Sequence, residues 1–162
     1  MSKKANDYIK TLNLIAHPEG GYYAETYSSP LTHDANGKNR PLATSIYFLL
    51  GDTDVSKFHQ LQSDELWYFH DGAPLDVYMI LESGELKIET LGLDLKKGQR
   101  PQLLVPAGSI FGSCMHDSEG ADFSLVGCVV SYGFHFDDFK LFSQEELMEI
   151  YPNYKETIIK LT

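Results

Sequence analysis

The pattern of hydrophobic and polar positions changes twice along the chain, and it predicts a β-rich middle between two short helices. In residues 4–15, apolar side chains recur at intervals of four and three, which predicts a helix with one buried face. Between residues 44 and 130, β-branched and aromatic runs alternate with turn residues about every 8–12 positions, which is typical of a sandwich or barrel. Near the carboxyl end, Ser143 and Glu146 match a capping box and predict a second helix.

Turn residues within the chain indicate how the predicted strands follow one another. The segment 75–91 contains Ser83-Gly84 between two apolar runs and predicts a hairpin. The segment 110–130 is predicted to form two paired strands around a turn at residues 117–122. The polar stretch 30–41 predicts a loop.

The charge balance excludes two classes of partner. The chain has 13 Lys and Arg residues against 23 Asp and Glu residues, which gives a formal net charge of −10 at pH 7. Nucleic acids and anionic membrane surfaces both require a basic patch, so neither is an expected partner. No apolar run approaches the ~18–20 residues of a transmembrane helix, and no signal peptide is predicted. A length of 162 residues predicts one domain over residues 1–162.

The cysteine and aromatic content adds two expectations. If residues 110–130 form paired strands, Cys114 faces residue 125 and not Cys128, so no disulfide is expected. Two reduced thiols predict a cytoplasmic protein. Ten Tyr, nine Phe and one Trp make up 12% of the chain, which predicts a rich core, a cavity lined by rings, or both.

The segment 58–72 holds the densest group of chemically reactive side chains. Because strand side chains alternate between faces, His59 shares a face with Leu61, and Glu65 shares a face with Trp67. If Leu61 and Trp67 face the barrel interior, an imidazole and a carboxylate face it with them. Burying such groups without partners is costly, so their presence there predicts a ligand or metal site.

The segment 17–21, His-Pro-Glu-Gly-Gly, allows two interpretations. In one, His17 or Glu19 closes the mouth of a pocket. In the other, which we favour at this point, Gly20 and Gly21 simply supply a turn with positive φ that leads a helix into a strand.

The strand that follows, residues 22–27, contributes two further candidates. Alternation places Glu25 with Tyr23 and Tyr27 on one face and Tyr22 on the other, and the sequence does not say which face looks inward. We expect Tyr22 or Glu25 to contact a ligand, according to which face that is. The face that carries Glu25 is equally consistent with a dimer interface.

The spacing of the central residues resembles the first motif of the cupins. That motif is a His, a second His two residues later, a Glu four residues after that, and a Gly seven residues after the Glu. Here His59, Leu61, Glu65 and Gly72 occupy those positions, so three of the four match.

A second cupin motif is similar to the segment that runs from Gly98 through Pro-Ala-Gly at residues 106–108. Its His position is occupied by Phe111. The resemblance therefore implies a cupin that lacks two of four usual metal ligands, with Leu61 and Phe111 in their places. It also implies that Phe111 and Trp67 line the ligand cavity.

The chain resembles one branch more closely, the cupin_5 or domain-of-unknown-function 985 family. The motifs that carry this likeness span about residues 8 to 142 and lie at residues 17–23, 25–27, 63–67, 105–108, 125–130 and 133–134. The resemblance implies an all-β fold, a double-stranded β-helix or jelly-roll barrel over about residues 20–140, with a short helix at each end. It also implies a homodimer with a pocket inside the barrel.

The leading functional hypothesis is a cupin that binds a small polar or sugar-like molecule in its barrel and carries out epimerase- or isomerase-type acid–base chemistry. His59 is then the base, Glu65 orients it, and Tyr22 is one candidate for the acid. No tightly held cofactor is expected, and acidic groups in the pocket favour a neutral or cationic ligand. One alternative is a metal-dependent oxygenase or isomerase that holds a divalent metal with His59 and Glu65. Another is a non-catalytic small-molecule binding module.

Overall fold

The strands form two antiparallel sheets and a separate hairpin. A computed structural model describes residues 1–35, 37–116 and 121–162. Within those residues the helices are α1 (Lys3–Thr11), α2 (Gln144–Ile150) and α3 (Lys155–Lys160). The strands are β1 (Ile15–Ala16), β2 (Tyr22–Ser28), β3 (Thr32–Ala35), β4 (Lys38–Pro41), β5 (Thr44–Gly51), β6 (Val55–Leu61), β7 (Asp64–Gly72), β8 (Leu75–Ile80), β9 (Leu86–Leu91), β10 (Gln102–Val105), β11 (Ile110–Met115), β12 (Phe123–Ser131) and β13 (Phe139–Leu141).

The two large sheets enclose the main core between them. The six-stranded sheet has the order β1-β2-β5-β12-β7-β10, and the five-stranded sheet has the order β13-β6-β11-β8-β9. Phe48 and Trp67 from the first sheet pack with Leu61, Met79 and Phe111 from the second, and all five are buried. The predicted all-β barrel with a short helix at each end is thereby confirmed.

Helices cover the outer faces of both sheets. Helix α1 packs through Ala5 on Leu49 and Leu125 of the six-stranded sheet. Helices α2 and α3 pack through Leu147 and Ile158 on the five-stranded sheet. Because both faces of these sheets are buried, strands such as β5 and β12 carry apolar residues at consecutive positions instead of alternating ones.

Several predicted elements are confirmed. The hairpin over residues 75–91 is formed by β8 and β9. The capping box is present, since Ser143 Oγ accepts from the Glu146 amide while the Glu146 carboxylate accepts from the Ser143 amide. Helix α1 is shorter than the predicted 4–15 because the chain leaves the helix at Asn13, where φ is +53°. Helix α3 was not predicted.

Two predictions are wrong. The stretch 30–41 is the β3–β4 hairpin and not a loop. Strands β11 and β12 do not pair with each other: β11 lies between β6 and β8, whereas β12 lies between β5 and β7. Of their predicted turn, residues 117–120 lie outside the described part of the chain. Cys114 and Cys128 are free thiols in different sheets.

No helix within the described residues is both long enough and apolar enough to cross a membrane.

Candidate functional site

A bulge in β6 turns two polar side chains toward the barrel interior. His59 pairs with Phe111 and Ser56 pairs with Ser113, so β6 has one residue more than β11 between these pairs. Ser56 and His59 therefore share the inner face although they are three positions apart, and Phe58 lies on the outer face. Both inward polar residues are buried.

The segment 17–21 folds onto this bulge and delivers Glu19 to the same place. The Lys57 amide donates to the Glu19 carbonyl oxygen at 2.8 Å. Gly20 has a φ of +112°, and a Cβ there would clash with the Val55 carbonyl oxygen, so only glycine fits. Glu19 is 6% exposed and accepts from Ser56 Oγ at 2.7 Å.

Glu19 and His59 share one proton. His59 Nδ1 lies 2.7 Å from the Lys57 carbonyl oxygen and must donate to it, so Nε2 carries no proton in the neutral ring. That Nε2 lies 3.1 Å from Glu19 Oε2. Burial raises the pKa of Glu19 to about 7 and lowers the pKa of His59 to about 4. Of the two groups, Glu19 is therefore the one that binds the proton first, and in that state its carboxyl donates to His59 and the pair is uncharged.

His17 lies on the other side of Glu19. The Glu19 amide donates to His17 Nδ1 at 3.2 Å, which leaves the ring proton on Nε2. Glu19 Oε2 is 3.6 Å from the same Nδ1. Burial lowers the pKa of His17, although the Glu19 charge opposes this shift. His17 is therefore a neutral imidazole whose Nε2–H can donate.

Glu65 approaches from β7, on the opposite sheet. It is 6% exposed, and its Oε2 and the neighbouring Trp67 Nε1 have no hydrogen-bond partner among the described residues. Burial, together with the charge of an ionised Glu19, raises the pKa of Glu65 to about 8, although the nearby Trp67 Nε1–H and Cys128 thiol oppose this shift. Burial also raises the pKa of the adjacent Cys128 thiol, so that sulfur is not a nucleophile at neutral pH.

A small cavity is lined by three of these residues, His17, Glu65 and Cys128. Its volume is about 40 Å³, and it is lined by His17, Tyr23, Thr44, Ile46, Glu65, Cys128, Val130 and Phe134. A site for an entire drug-sized ligand usually needs at least ~300 Å³. This cavity has room for only a few non-hydrogen atoms, such as one or two waters or the polar end of a larger molecule.

The structure brings most of the sequence-predicted residues to this region. His59 and Glu65 face the interior, and Trp67, Leu61 and Phe111 are buried around them, with the Phe111 ring centroid 4.1 Å from that of His59. Of these five, only Glu65 lines the cavity, so Trp67 and Phe111 belong to the core and not to the cavity wall.

Two predicted ligand-binding residues lie elsewhere. Tyr22 is on the outer face, in the cluster beneath α1. Glu25 pairs with Ile46 on the inward-facing side of β2, but it is exposed and does not line the cavity. A bulge at Thr26 moves Tyr27 off the face of Glu25, so simple alternation fails there.

The resemblance to cupins implies a metal, and the residues present do not fit one. Leu61 and Phe111 offer no donor atoms, and both His59 nitrogens are engaged by the Lys57 carbonyl oxygen and Glu19. Within the described residues, no group of three or more His, Cys, Asp and Glu side chains is arranged to hold an ion. A zinc or iron site needs at least three such ligands.

Sequence reasoning undervalued His17 and Glu19 and missed Ser56. The signal for Glu19 was present, because a charged residue directly before two glycines is one that a tight turn can carry inward. For Ser56 no sequence signal was available, since its inward direction depends on the bulge.

Comparisons with known proteins agree with this architecture. Residues 6–142 match the model of the Cupin superfamily (DUF985) family. A crystal structure of a Shewanella oneidensis protein is 53% identical, with a TM-score of 0.89, and the match covers 98% of this chain and 96% of that chain. An uncharacterised protein of Saccharomyces cerevisiae is 32% identical over 151 residues, 85% of this chain and 75% of that protein.

A more distant likeness concerns the fold alone. Oxalate decarboxylase from Bacillus subtilis is 16% identical with a TM-score of 0.58, and the match covers 91% of this chain and 36% of that chain. The family model, which matches 6–142 of the 162 residues, shows that the chain belongs to the DUF985 family of the cupin superfamily.

Proposed function

We propose that the protein is an acid–base enzyme of the isomerase type, which moves a proton within a small polar molecule whose reacting end enters the barrel. One observation carries the proposal: a buried carboxyl group with an unpartnered oxygen, Glu65, lines the same cavity as a neutral imidazole, His17. Pairs of titratable groups whose surroundings push their pKa values apart are the usual basis of acid–base catalysis.

Glu65 is the group proposed to exchange the proton. Its pKa of about 8 leaves a fraction ionised near neutral pH, and a pKa close to the working pH is the most effective for proton transfer. As a carboxylate it takes a proton from the substrate, and as a carboxylic acid it returns that proton to a neighbouring atom on the same face. His17 Nε2–H donates a hydrogen bond to the substrate atom on which negative charge develops.

The Glu19–His59 pair is proposed to hold His17 in this state. When Glu19 carries the proton, the pair is uncharged and does not draw a proton onto His17, and the Glu19 amide fixes the His17 tautomer. These roles differ from the initial hypothesis, in which His59 is the base and Glu65 orients it. His59 has no free ring nitrogen for a substrate, whereas Glu65 has a free oxygen.

The test uses solvent deuterium. The protein is incubated in D₂O with a panel of small hydroxy ketones, keto acids, hydroxy acids and aldoses, and deuterium incorporation is followed by mass spectrometry. We expect incorporation into at least one member. Glu65→Gln should reduce that rate by about 10²–10⁴-fold.

The matched control is Glu85→Gln, the same substitution at an exposed site outside the barrel. It should leave the rate unchanged. A rate for Glu65→Gln equal to that of the wild type, or no incorporation into any member, would contradict the proposal. The second result would favour a non-catalytic binding module.

A further inference from the structure

The polar groups in and near the cavity are mostly hydrogen-bond donors, so a ligand that fits them must supply a hydrogen-bond acceptor. His17 and Glu65 line the cavity, His17 with its proton on Nε2 and Glu65 protonated for most of the time at neutral pH. Trp67 does not line the cavity, but its Nε1–H lies near Glu65 and makes no hydrogen bond of good geometry to the described residues. A buried donor without a partner is costly, so a ligand that supplies an acceptor oxygen there removes that cost. A carbonyl oxygen has two lone pairs and can accept from two of these donors at once.

The charges around the cavity exclude a bound anion. No Lys or Arg is among the residues that line it. Arg40, the buried arginine of the described chain, is bound to Asp138 at 2.6 Å and is not available. A carboxylate or phosphate entering the cavity would lose its hydration without meeting a positive charge.

The side chains that line the cavity also favour a ligand whose other atoms, beyond the acceptor oxygen, are uncharged. Tyr23, Ile46 and Phe134 line it and are only half-buried, so they lie where the cavity approaches the surface. These rings and the aliphatic side chain offer contact to carbon atoms. The volume of about 40 Å³ limits the deepest part of a ligand to a carbonyl group and its neighbouring carbon.

We propose that the substrate is an uncharged carbonyl compound with a removable proton on the carbon next to the carbonyl group, the class that contains hydroxy ketones and hydroxy aldehydes. This inference rests on the acid–base function proposed above and names the substrate class of that same site.

The proposed step balances without a further reactant. The Glu65 carboxylate takes the proton from the carbon next to the carbonyl group, and the electron pair of that C–H bond forms a carbon–carbon double bond. The π pair of the carbonyl group moves to its oxygen, which His17 Nε2–H stabilises. The hydroxyl proton on the neighbouring carbon passes to the enolate oxygen, and the Glu65 carboxylic acid returns its proton to the former carbonyl carbon. The electron pair left on the neighbouring oxygen forms the second carbonyl group.

Trp67 allows a direct test because it is the chain's only tryptophan and gives a single indole N–H signal in a ¹H–¹⁵N spectrum. The protein is titrated with neutral dihydroxyacetone, and separately with pyruvate and dihydroxyacetone phosphate. We expect dihydroxyacetone to shift this signal at concentrations at least tenfold lower than either anion. Deuterium exchange into the same three probes should follow the same order.

A variant with an added charge sharpens the test. Ile46→Lys places an ammonium group at the cavity, and it should raise the affinity for pyruvate at least tenfold. Ile88→Lys is the matched control, since Ile88 is 50% exposed on β9. Ile88→Lys should leave the affinity for pyruvate unchanged.

The outcomes separate the two proposals. If the wild type binds and exchanges pyruvate or the phosphate as well as dihydroxyacetone, the substrate class is wrong and the acid–base function stands. If no probe shifts the Trp67 signal and none exchanges, the acid–base function is wrong as well. The wild-type comparison decides this even if Ile46→Lys does not fold.

Discussion

The two faces of β6 differ in how completely their side chains are satisfied. On the outer face, Val55 and Phe58 pack through their side chains into the apolar layer beneath α2 and α3. On the inner face, Ser56 and His59 are just as deeply buried, but each depends on Glu19 or on a backbone carbonyl oxygen for its hydrogen bonds.

This difference teaches that burial serves two purposes within one strand. The outer face stabilises the barrel through apolar area. On the inner face, the burial of polar groups lowers the stability of the barrel, and the same burial shifts the pKa values of Glu19 and His59. If this is correct, substitutions on the outer face change the free energy of unfolding and leave the site intact, whereas those on the inner face change both.

The largest expected effect is on the outer face. Phe58→Ala removes a fully buried ring and should lower the free energy of unfolding by about 3–5 kcal/mol, measured by urea denaturation. The Trp67 indole signal should keep its position, since Trp67 lies in the other layer. Ile88→Ala, at a half-exposed position, should cost less than ~0.5 kcal/mol. A shifted Trp67 signal in Phe58→Ala would mean that the two faces are not independent.

The next effect is a pH dependence that originates on the inner side of the barrel. Because the pKa of Glu65 is raised from 4.5 to about 8, the folded state keeps a proton that the unfolded state releases between these values. This stabilising contribution is complete below pH 4.5 and is lost as the pH rises to 8. His59, with its lowered pKa, acts oppositely, but only between pH 6.5 and 4.

Between pH 6.5 and 8, the pH dependence of the free energy of unfolding therefore reports on the carboxyl groups and not on His59. The wild-type free energy of unfolding should fall across it by about 2 kcal/mol more than that of Glu65→Gln. Denaturation at a series of pH values measures this, with Glu85→Gln as the control that keeps the wild-type slope. Parallel curves for the wild type and Glu65→Gln would show that Glu65 is ionised in the folded protein.

A smaller effect distinguishes two serines that face each other across β6 and β11. Ser56→Ala leaves Glu19 Oε1 without its donor and should cost about 1–3 kcal/mol. Ser113→Ala removes a buried hydroxyl that has no partner among the described residues, so it should be neutral or stabilising. Thermal unfolding of the two variants compares them directly, and equal losses would contradict the arrangement of the Ser56 bond.

The smallest effect tests the outer layer at its exposed edge. Ser143→Ala removes the cap of α2 and should cost about 1 kcal/mol, as at other helix N-termini. Because the capping box is satisfied locally, deuterium exchange activity should be unaffected. A loss of activity would connect the helical layer to the inner face.

Part of this site could be predicted from the sequence because it follows regular alternation. His59 with Leu61, and Glu65 with Trp67, occupy alternate positions, and all four face inward. The motif spacing also placed Phe111 beside His59.

The rest depends on irregularities that composition does not encode. One extra residue in β6 turns Ser56 inward, and one in β2 turns Tyr27 away from Glu25. The pairing of distant strands could not be predicted from the sequence either: β11 and β12 are successive strands, yet they belong to different sheets. Glu19 reaches the site through a glycine turn that packs on the backbone at Val55, which only the assembled barrel supplies.

The bulge in β6 also means that the contacts of Glu19 and His59 depend on the number of residues in this strand. Deleting one residue at position 57 or 58 would leave a regular ladder against β11 and most of the barrel's hydrogen bonds. Because Ser56 and His59 would then be two positions apart, both side chains would still face inward. Deleting Lys57 itself would remove the amide and the carbonyl group that hold the Glu19 backbone and the His59 ring, without replacing either of the side chains of that pair.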